Sequence, residues 1–169
     1  VVVPGLTQWQ HPSFFAFFPA NTSGPAVLGD LISSGLGVNG MNWATSPACT
    51  EVEMKMLDWF VELLGLPAHL RHDHDGPGGG VLQDSASSST LVALLAARKR
   101  VSDGGDLSML RAYPSGHAHS SIVKGARVAG LADDQVRSIP ADETFAMRAE
   151  ALAEAIDADR RAGLVPFFC

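Results

Sequence analysis

Three clusters in this chain combine residue types that do chemistry. Residues 78–100, GGGVLQDSASSSTLVALLAARKR, run from three glycines through small hydroxyl residues into a helix-forming segment. A Gly/Ser turn that opens a helix can hold an anion, because the first N–H groups of a helix lack intrahelical acceptors and its dipole is positive there. The hydroxyls of Ser85 and Ser87 would add donors. The pattern has neither the G-x-G-x-x-G spacing of a dinucleotide site nor the G-x-x-x-x-G-K of a P-loop, so a phosphate turn and a plain serine helix cap both fit it. The second cluster, YPSGHAHSSIVKGARVAGL, puts His117 and His119 in a turn ahead of another helix. There a neutral imidazole can stack on an aromatic ring or relay a proton, and the bland alternative is a solvated loop histidine. The third, HLRHDHDG, gathers His69, His72, His74 and Asp75, residue types that coordinate Zn²⁺ or Ni²⁺. That segment is a polar loop with no helix or strand to set ligand geometry, and no metal site is expected in it.

These clusters need elements to position them. The pattern predicts a short strand at Val81 and Leu82, a turn over 84–89 and a helix to about Arg100. A strand near 107–113 should lead into the histidine turn, with a helix from about His119 to Gly130. A strand around 135–139, a helix from about Thr144 to Arg161 and a final strand over 164–168 complete the second half. Upstream, Ser46-Pro47 opens a helix whose Val52, Met56, Trp59, Phe60, Leu63 and Leu64 form one broad apolar face, ended by Gly65 and Pro67. Residues 1–45, rich in Gly, Pro, Asn and aromatics, read as an extended or short-helical arm. Helices alternating with short apolar strands predict an α/β fold with a largely parallel sheet. In such sheets ligands sit beyond the carboxyl ends of the strands, so the serine turn and the histidine turn are expected to face one pocket.

Composition narrows the function classes. With 46% hydrophobic and 18% charged residues, the 169-residue chain is expected to fold rather than stay disordered. A net charge of −6 disfavours broad binding to nucleic acid or anionic membranes, and no apolar run is long enough to span a bilayer. The opening VVVPGL lacks a basic n-region, and two cysteines, Cys49 and Cys169, are too few for a disulfide framework; the expected location is cytoplasmic. The closing run LVPFFC resembles a strand in progress, and the chain reads as a piece of a longer protein.

Taken in order, HPSFFAFFPA, NWATSPACTEVEMKMLDW, GGGVLQDSASSSTLVALLAAR, YPSGHAHSSIVKGARVAGL and GLVPFF resemble the group II pyridoxal-phosphate-dependent decarboxylases, most of all the aromatic-L-amino-acid decarboxylases. The resemblance covers nearly the whole chain. It implies a fragment of the fold type I (aspartate aminotransferase-like) large domain, with residues 1–45 as an N-terminal arm and 46–169 as the first part of the cofactor-binding domain. It implies pyridoxal 5′-phosphate as cofactor, an aromatic amino acid as substrate, release of the amine, and a homodimer. Ser85, Ala86 and Ser87 match the phosphate-binding turn. His119 matches the histidine that stacks on the pyridine ring and takes part in protonation. Trp9, Phe17, Phe18 and Pro19 match the aromatic lining of the substrate pocket, and Asn39 and Met41 match positions that reach the neighbouring subunit's site.

The chain also departs from the family pattern. His117 fills a slot usually taken by Gln and is given no catalytic role. Ala20 replaces a frequent Thr, Asp84 stands where Gly is common, and Asn39 stands where aliphatic or aromatic residues are usual. In the family, the lysine that holds the cofactor covalently and the aspartate facing its pyridine nitrogen follow the motif matched by GLVPFF. Lys55, Lys99 and Lys124 lie outside that lysine's motif. Asp157 and Asp159 read as surface charges on the last helix. The segment by itself is therefore expected to be inactive. Two rivals stand beside this reading: a non-catalytic dimerisation piece or degraded paralogue, suggested by the aromatic arm, and a decarboxylase of acidic amino acids. The second is weakened by the lack of any Arg or Lys between Val1 and Cys49.

Overall fold

The structure is a computed structural model that describes residues 2–17, 22–102 and 104–169. The chain forms two compact units, Val1–Val81 and Leu82–Cys169.

The first unit carries two helices. α1 (Gly24–Leu36) falls inside the segment expected to be extended or short-helical. Its signals are local: the Ser23 hydroxyl accepts the Ala26 N–H at 3.3 Å, Pro25 occupies the first turn, and Gly37 closes the helix in the left-handed region at φ 60°. α2 (Pro47–Leu63) starts where Ser46-Pro47 predicts, although the Ser46 side chain makes no capping bond. Its broad apolar face is exposed in this unit: Val52, Trp59, Phe60, Leu63 and Leu64 all face outward, while Asp58 and Val61 are buried. The histidine loop is better ordered than its polarity suggests. The Asp58 carboxylate accepts the His72 N–H at 2.7 Å, and the His72 Nε2 accepts the Gly80 N–H at 2.9 Å. Gly79, at φ +116°, lies so close to this ring that a Cβ there would sit 2.5 Å from His72 Cε1. Among the described residues no three His, Cys, Asp or Glu side chains converge as a metal site.

The second unit holds α3 (Ala86–Val101), β1 (Leu110–Ala112), α4 (Ser121–Val128), α5 (Ala149–Arg161) and β2 (Val165–Phe168). β1 and β2 pair in parallel, with Leu110 opposite Val165 and Ala112 opposite Phe168. The expected strand at 135–139 is reduced to two isolated parallel bridges, Ala112 to Val136 and Ser115 to Ile139, behind a 3-10 turn over Asp133–Gln135. Those bridges still clamp the chain after β1: Ile139 N–H donates to Pro114 O, and Gly116 N–H donates to Ile139 O, each at 2.8 Å. No strand forms at Val81 and Leu82, both of which are exposed. Two apolar residues carry the pattern of a buried strand, but the pattern does not supply a neighbouring ladder.

The core of this unit is Leu94, Ala126, Ala129 and Leu131, with Leu91, Leu95, Val136, Phe167 and Phe168 packed against it. Small residues on α4 let it come close to α3; a Cβ on Gly125 would stand 3.9 Å from Leu91. α5 begins five residues later than expected, because Asp142 turns the preceding segment into a tight hairpin. Its Oδ1 accepts the N–H groups of Thr144 and Ala146 and the Thr144 hydroxyl. One further expectation is overturned. Asp159 is no surface charge but is 3% exposed, held by the Tyr113 hydroxyl and by Arg137. Position on the last helix turn suggests solvent, whereas the residue following β1, Tyr113, and Arg137 both close on that side of the helix.

Candidate active site

The serine turn and the histidine turn meet in the second unit. Ser85 takes the N-cap position of α3 in extended backbone, its Oγ accepting the Ser88 N–H at 3.2 Å, while its carbonyl accepts the Ser89 N–H at 3.0 Å. The N–H groups of Ala86 and Ser87 thus occupy the first two helical positions, which have no intrahelical acceptor. β1 and its clamp deliver the chain into the turn at 116–119. His119 sits just ahead of α4, where its Nδ1 accepts the Ser121 N–H at 3.2 Å and lies 3.0 Å from the Ser121 Oγ.

A cavity of about 230 Å³ opens between α3 and α4, lined by Ser87, Ser88, Leu91, His119, Ser121, Lys124, Gly125 and Val128. It brings together two residues singled out in the sequence, Ser87 and His119. Ser85 and Ala86 are on the same turn but outside the lining. The wall adds six residues not among the site candidates read from the sequence: Ser88, Leu91, Ser121, Lys124, Gly125 and Val128. Helix periodicity carries a signal for them, since Ser121, Lys124, Gly125 and Val128 recur at i, i+3, i+4 and i+7, and Ser87 and Leu91 at i and i+4. Lys124 is one of three lysines set aside as non-catalytic, and its ammonium is the cation of this wall.

The substrate-side candidates belong to the first unit. Trp9 packs its ring on Phe14 at 5.0 Å and on Phe17 at 5.9 Å between centroids. Phe17 is exposed and adopts φ 61°, a conformation rare for an aromatic residue. The Asn39 Oδ1 accepts the Met41 N–H at 3.1 Å, and the Met41 side chain is exposed. Phe18, Pro19 and Ala20 lie outside the described residues.

The profile of the family described as "Pyridoxal-dependent decarboxylase conserved domain" matches residues 1–169. The chain belongs to the pyridoxal-dependent decarboxylases. Within this family, the aromatic-L-amino-acid decarboxylase of Sus scrofa is 45% identical over 99% of this chain, which spans 36% of that relative. The histidine decarboxylase of Mus musculus is 43% identical over 99% of the chain and 27% of its own length. Among solved structures, Oryza sativa TDC with PLP and tryptamine superposes with a TM-score of 0.87 at 40% identity, over 99% of this chain and 38% of that one. The fold is therefore that of a pyridoxal-phosphate decarboxylase of fold type I, and the chain corresponds to a little over a third of the rice protein.

The residues of the cavity suit the family's cofactor. The first-turn N–H groups and serine hydroxyls form a donor set for a phosphate dianion, the Lys124 ammonium adds positive charge, and the His119 imidazole offers a flat face for a pyridine ring. Val128 and Leu91 supply apolar wall beside these groups.

Proposed function

We propose that the whole protein decarboxylates an aromatic L-amino acid to its amine with pyridoxal 5′-phosphate, and that this segment binds the phosphate and one face of the ring. The observation that carries this reading is the shared cavity of Ser87 and His119 in a chain of this family. Ser85, Ala86 and Ser87 hold the phosphate through N–H groups and a hydroxyl. His119 stacks on the ring and holds a proton near the reacting carbon. Bound cofactor supplies the electron sink that accepts the electrons of the broken bond between Cα and the carboxylate. Trp9, Phe17, Phe18 and Pro19 give the substrate ring apolar area and edge or offset ring contacts, and Asn39 and Met41 act across a homodimer.

On this reading residues 1–45 are an arm bearing the substrate-side aromatics, residues 46–169 begin the cofactor-binding domain, and the protein works in the cytoplasm. The segment alone is inactive, because Lys55, Lys99 and Lys124 are not the cofactor-holding lysine. A CO₂-release assay on the full-length protein with dopa, tyrosine, tryptophan and phenylalanine tests the assignment. Turnover of one of these supports it, and no turnover of any with cofactor bound defeats it.

A second reading, decarboxylation of histidine, rests on the near-equal identity to the mouse histidine decarboxylase. An imidazole is also a flat ring that fits an aromatic wall. Comparing kcat/KM for histidine with that for the four larger substrates separates the two.

A further inference from the structure

His119 lies at the surface of its unit, yet one of its ring nitrogens is fully engaged. Nδ1 faces the Ser121 N–H at 3.2 Å and the Ser121 Oγ at 3.0 Å. A backbone N–H only donates, so Nδ1 must present its lone pair and cannot carry the proton of the neutral ring. That proton is then on Nε2. The Ser121 hydroxyl, with its free rotation, can turn its O–H onto the same lone pair and strengthen the arrangement. Ser121 is also the first residue of α4 and a wall residue of the cavity, so the helix start, the ring plane and the tautomer are set by one residue, through its backbone N–H and its hydroxyl together.

We infer that Ser121 is a positioning residue for His119, selecting the Nε2–H tautomer and holding the ring against the start of α4. The catalytic consequence rests on the proposed function: the histidine then meets the reacting centre as a donor through Nε2. The positioning itself rests on hydrogen-bond geometry alone.

Diethyl pyrocarbonate tests the positioning without any turnover. It acylates only an imidazole nitrogen with a free lone pair, and in this arrangement that nitrogen is Nδ1, which is covered, although the ring is exposed. In full-length apoprotein, mass spectrometry should find His119 acylated more slowly than His117, whose ring nitrogens have no hydrogen bond among the described residues. Ser121→Ala should speed His119 by roughly fivefold, the factor expected for loss of one hydrogen bond. Ser121→Thr should keep the wild-type rate. Should Ser121→Ala fail to fold, Ser121→Cys carries the same comparison, because its weak S–H donor leaves the rate above that of wild type. Equal His119 rates in wild type and in a folded Ala or Cys variant would overturn the inference, as would a Thr variant as fast as Ala. In the holoenzyme, Ser121→Ala should lower kcat with KM nearly unchanged. Slowed acylation in a protein that decarboxylates none of the substrates would uphold Ser121 as a positioning residue and defeat only the proposed function.

Discussion

The Tyr113 hydroxyl donates to Asp159 Oδ2 at 2.8 Å, joining the end of β1 to the last turn of α5 across 46 residues of sequence. Arg137 pairs with the other carboxylate oxygen at 2.5 Å, so two separate segments close on one buried acid of α5. Six residues after Tyr113 comes His119, and the strand that this network anchors feeds the histidine turn. The network is a structural root of the site even though none of its members lines the cavity.

Breaking this network should destabilise the unit. Asp159→Asn removes the charge from a buried carboxylate whose partner Arg137 is half exposed, so the loss should be about 2 kcal/mol, below the range for a fully buried pair. Tyr113→Phe removes a single hydrogen bond and should cost about 1 kcal/mol. Denaturant midpoints at unchanged m-value measure both.

The same pair sets an alkaline limit. Burial, and then the hydrogen bond to Asp159, raise the Tyr113 phenol above its ordinary value of 10.0. The unfolded chain therefore sheds this proton at a pH where the folded chain keeps it. The stabilisation is complete below pH 10.0 and declines as pH rises beyond it. Tyr113 is the only tyrosine of the 169 residues, so phenolate absorbance of this segment reports it alone. Absorbance should stay low past pH 10.0 and appear on unfolding; an ordinary phenol titration in the folded state would contradict the geometry.

Ser85 has two separable duties. Ser85→Ala loses the bond to the Ser88 N–H and should cost about 1 kcal/mol of stability. Ser85→Asp keeps a capping oxygen, and with it the stability, but puts a carboxylate where the phosphate is proposed to bind. It should weaken pyridoxal phosphate by roughly tenfold or more through like-charge repulsion. Equilibrium dialysis with pyridoxal phosphate and with pyridoxal distinguishes the two, since only the phosphate-bearing ligand should respond.

Lys124→Met tests the cation of the wall. The ammonium is solvated, so its attraction for phosphate should be worth no more than about 1 kcal/mol, roughly fivefold in affinity. Raising the salt concentration should erase the difference between wild type and variant, because exposed charges are screened within about 10 Å at 0.1 M ionic strength.

Two glycines should respond in opposite ways to the same change. At Gly125 a Cβ meets Leu91 only at ordinary contact distance, so Gly125→Ala should stabilise α4 by about 0.5–1 kcal/mol, and Gly125→Leu should fill the cavity and abolish cofactor binding. At Gly79 the added Cβ collides with the His72 ring in a backbone conformation that suits glycine, so Gly79→Ala should destabilise by a few kcal/mol. Thermal melts of the two alanine variants give the contrast directly.

Much of the site's local grammar was legible in the sequence. The serine cap and start of α3, the start of α2, the helix after His119 and the closing strand all follow from caps, turn residues and periodicity within a few positions. α1 carried its own signals too, in Ser23, Pro25 and Gly37, but the Gly- and Pro-rich surroundings masked them. The hairpin at Asp142 was missed because one carboxylate gathering three donors looks in sequence like any polar helix start.

What the sequence determined by itself is short-range. Which residues can cap, turn or open a helix depends on neighbours three or four positions away, and those neighbours are written side by side. Tertiary structure decided the rest. It buried Asp159 and left the apolar face of α2 exposed, withheld a full ladder from 136–139, and set Ser87, His119 and Lys124 around one cavity. Each of these depends on which segments meet across dozens of residues. An apolar or charged side chain bears the same letter whether a partner covers it or water does.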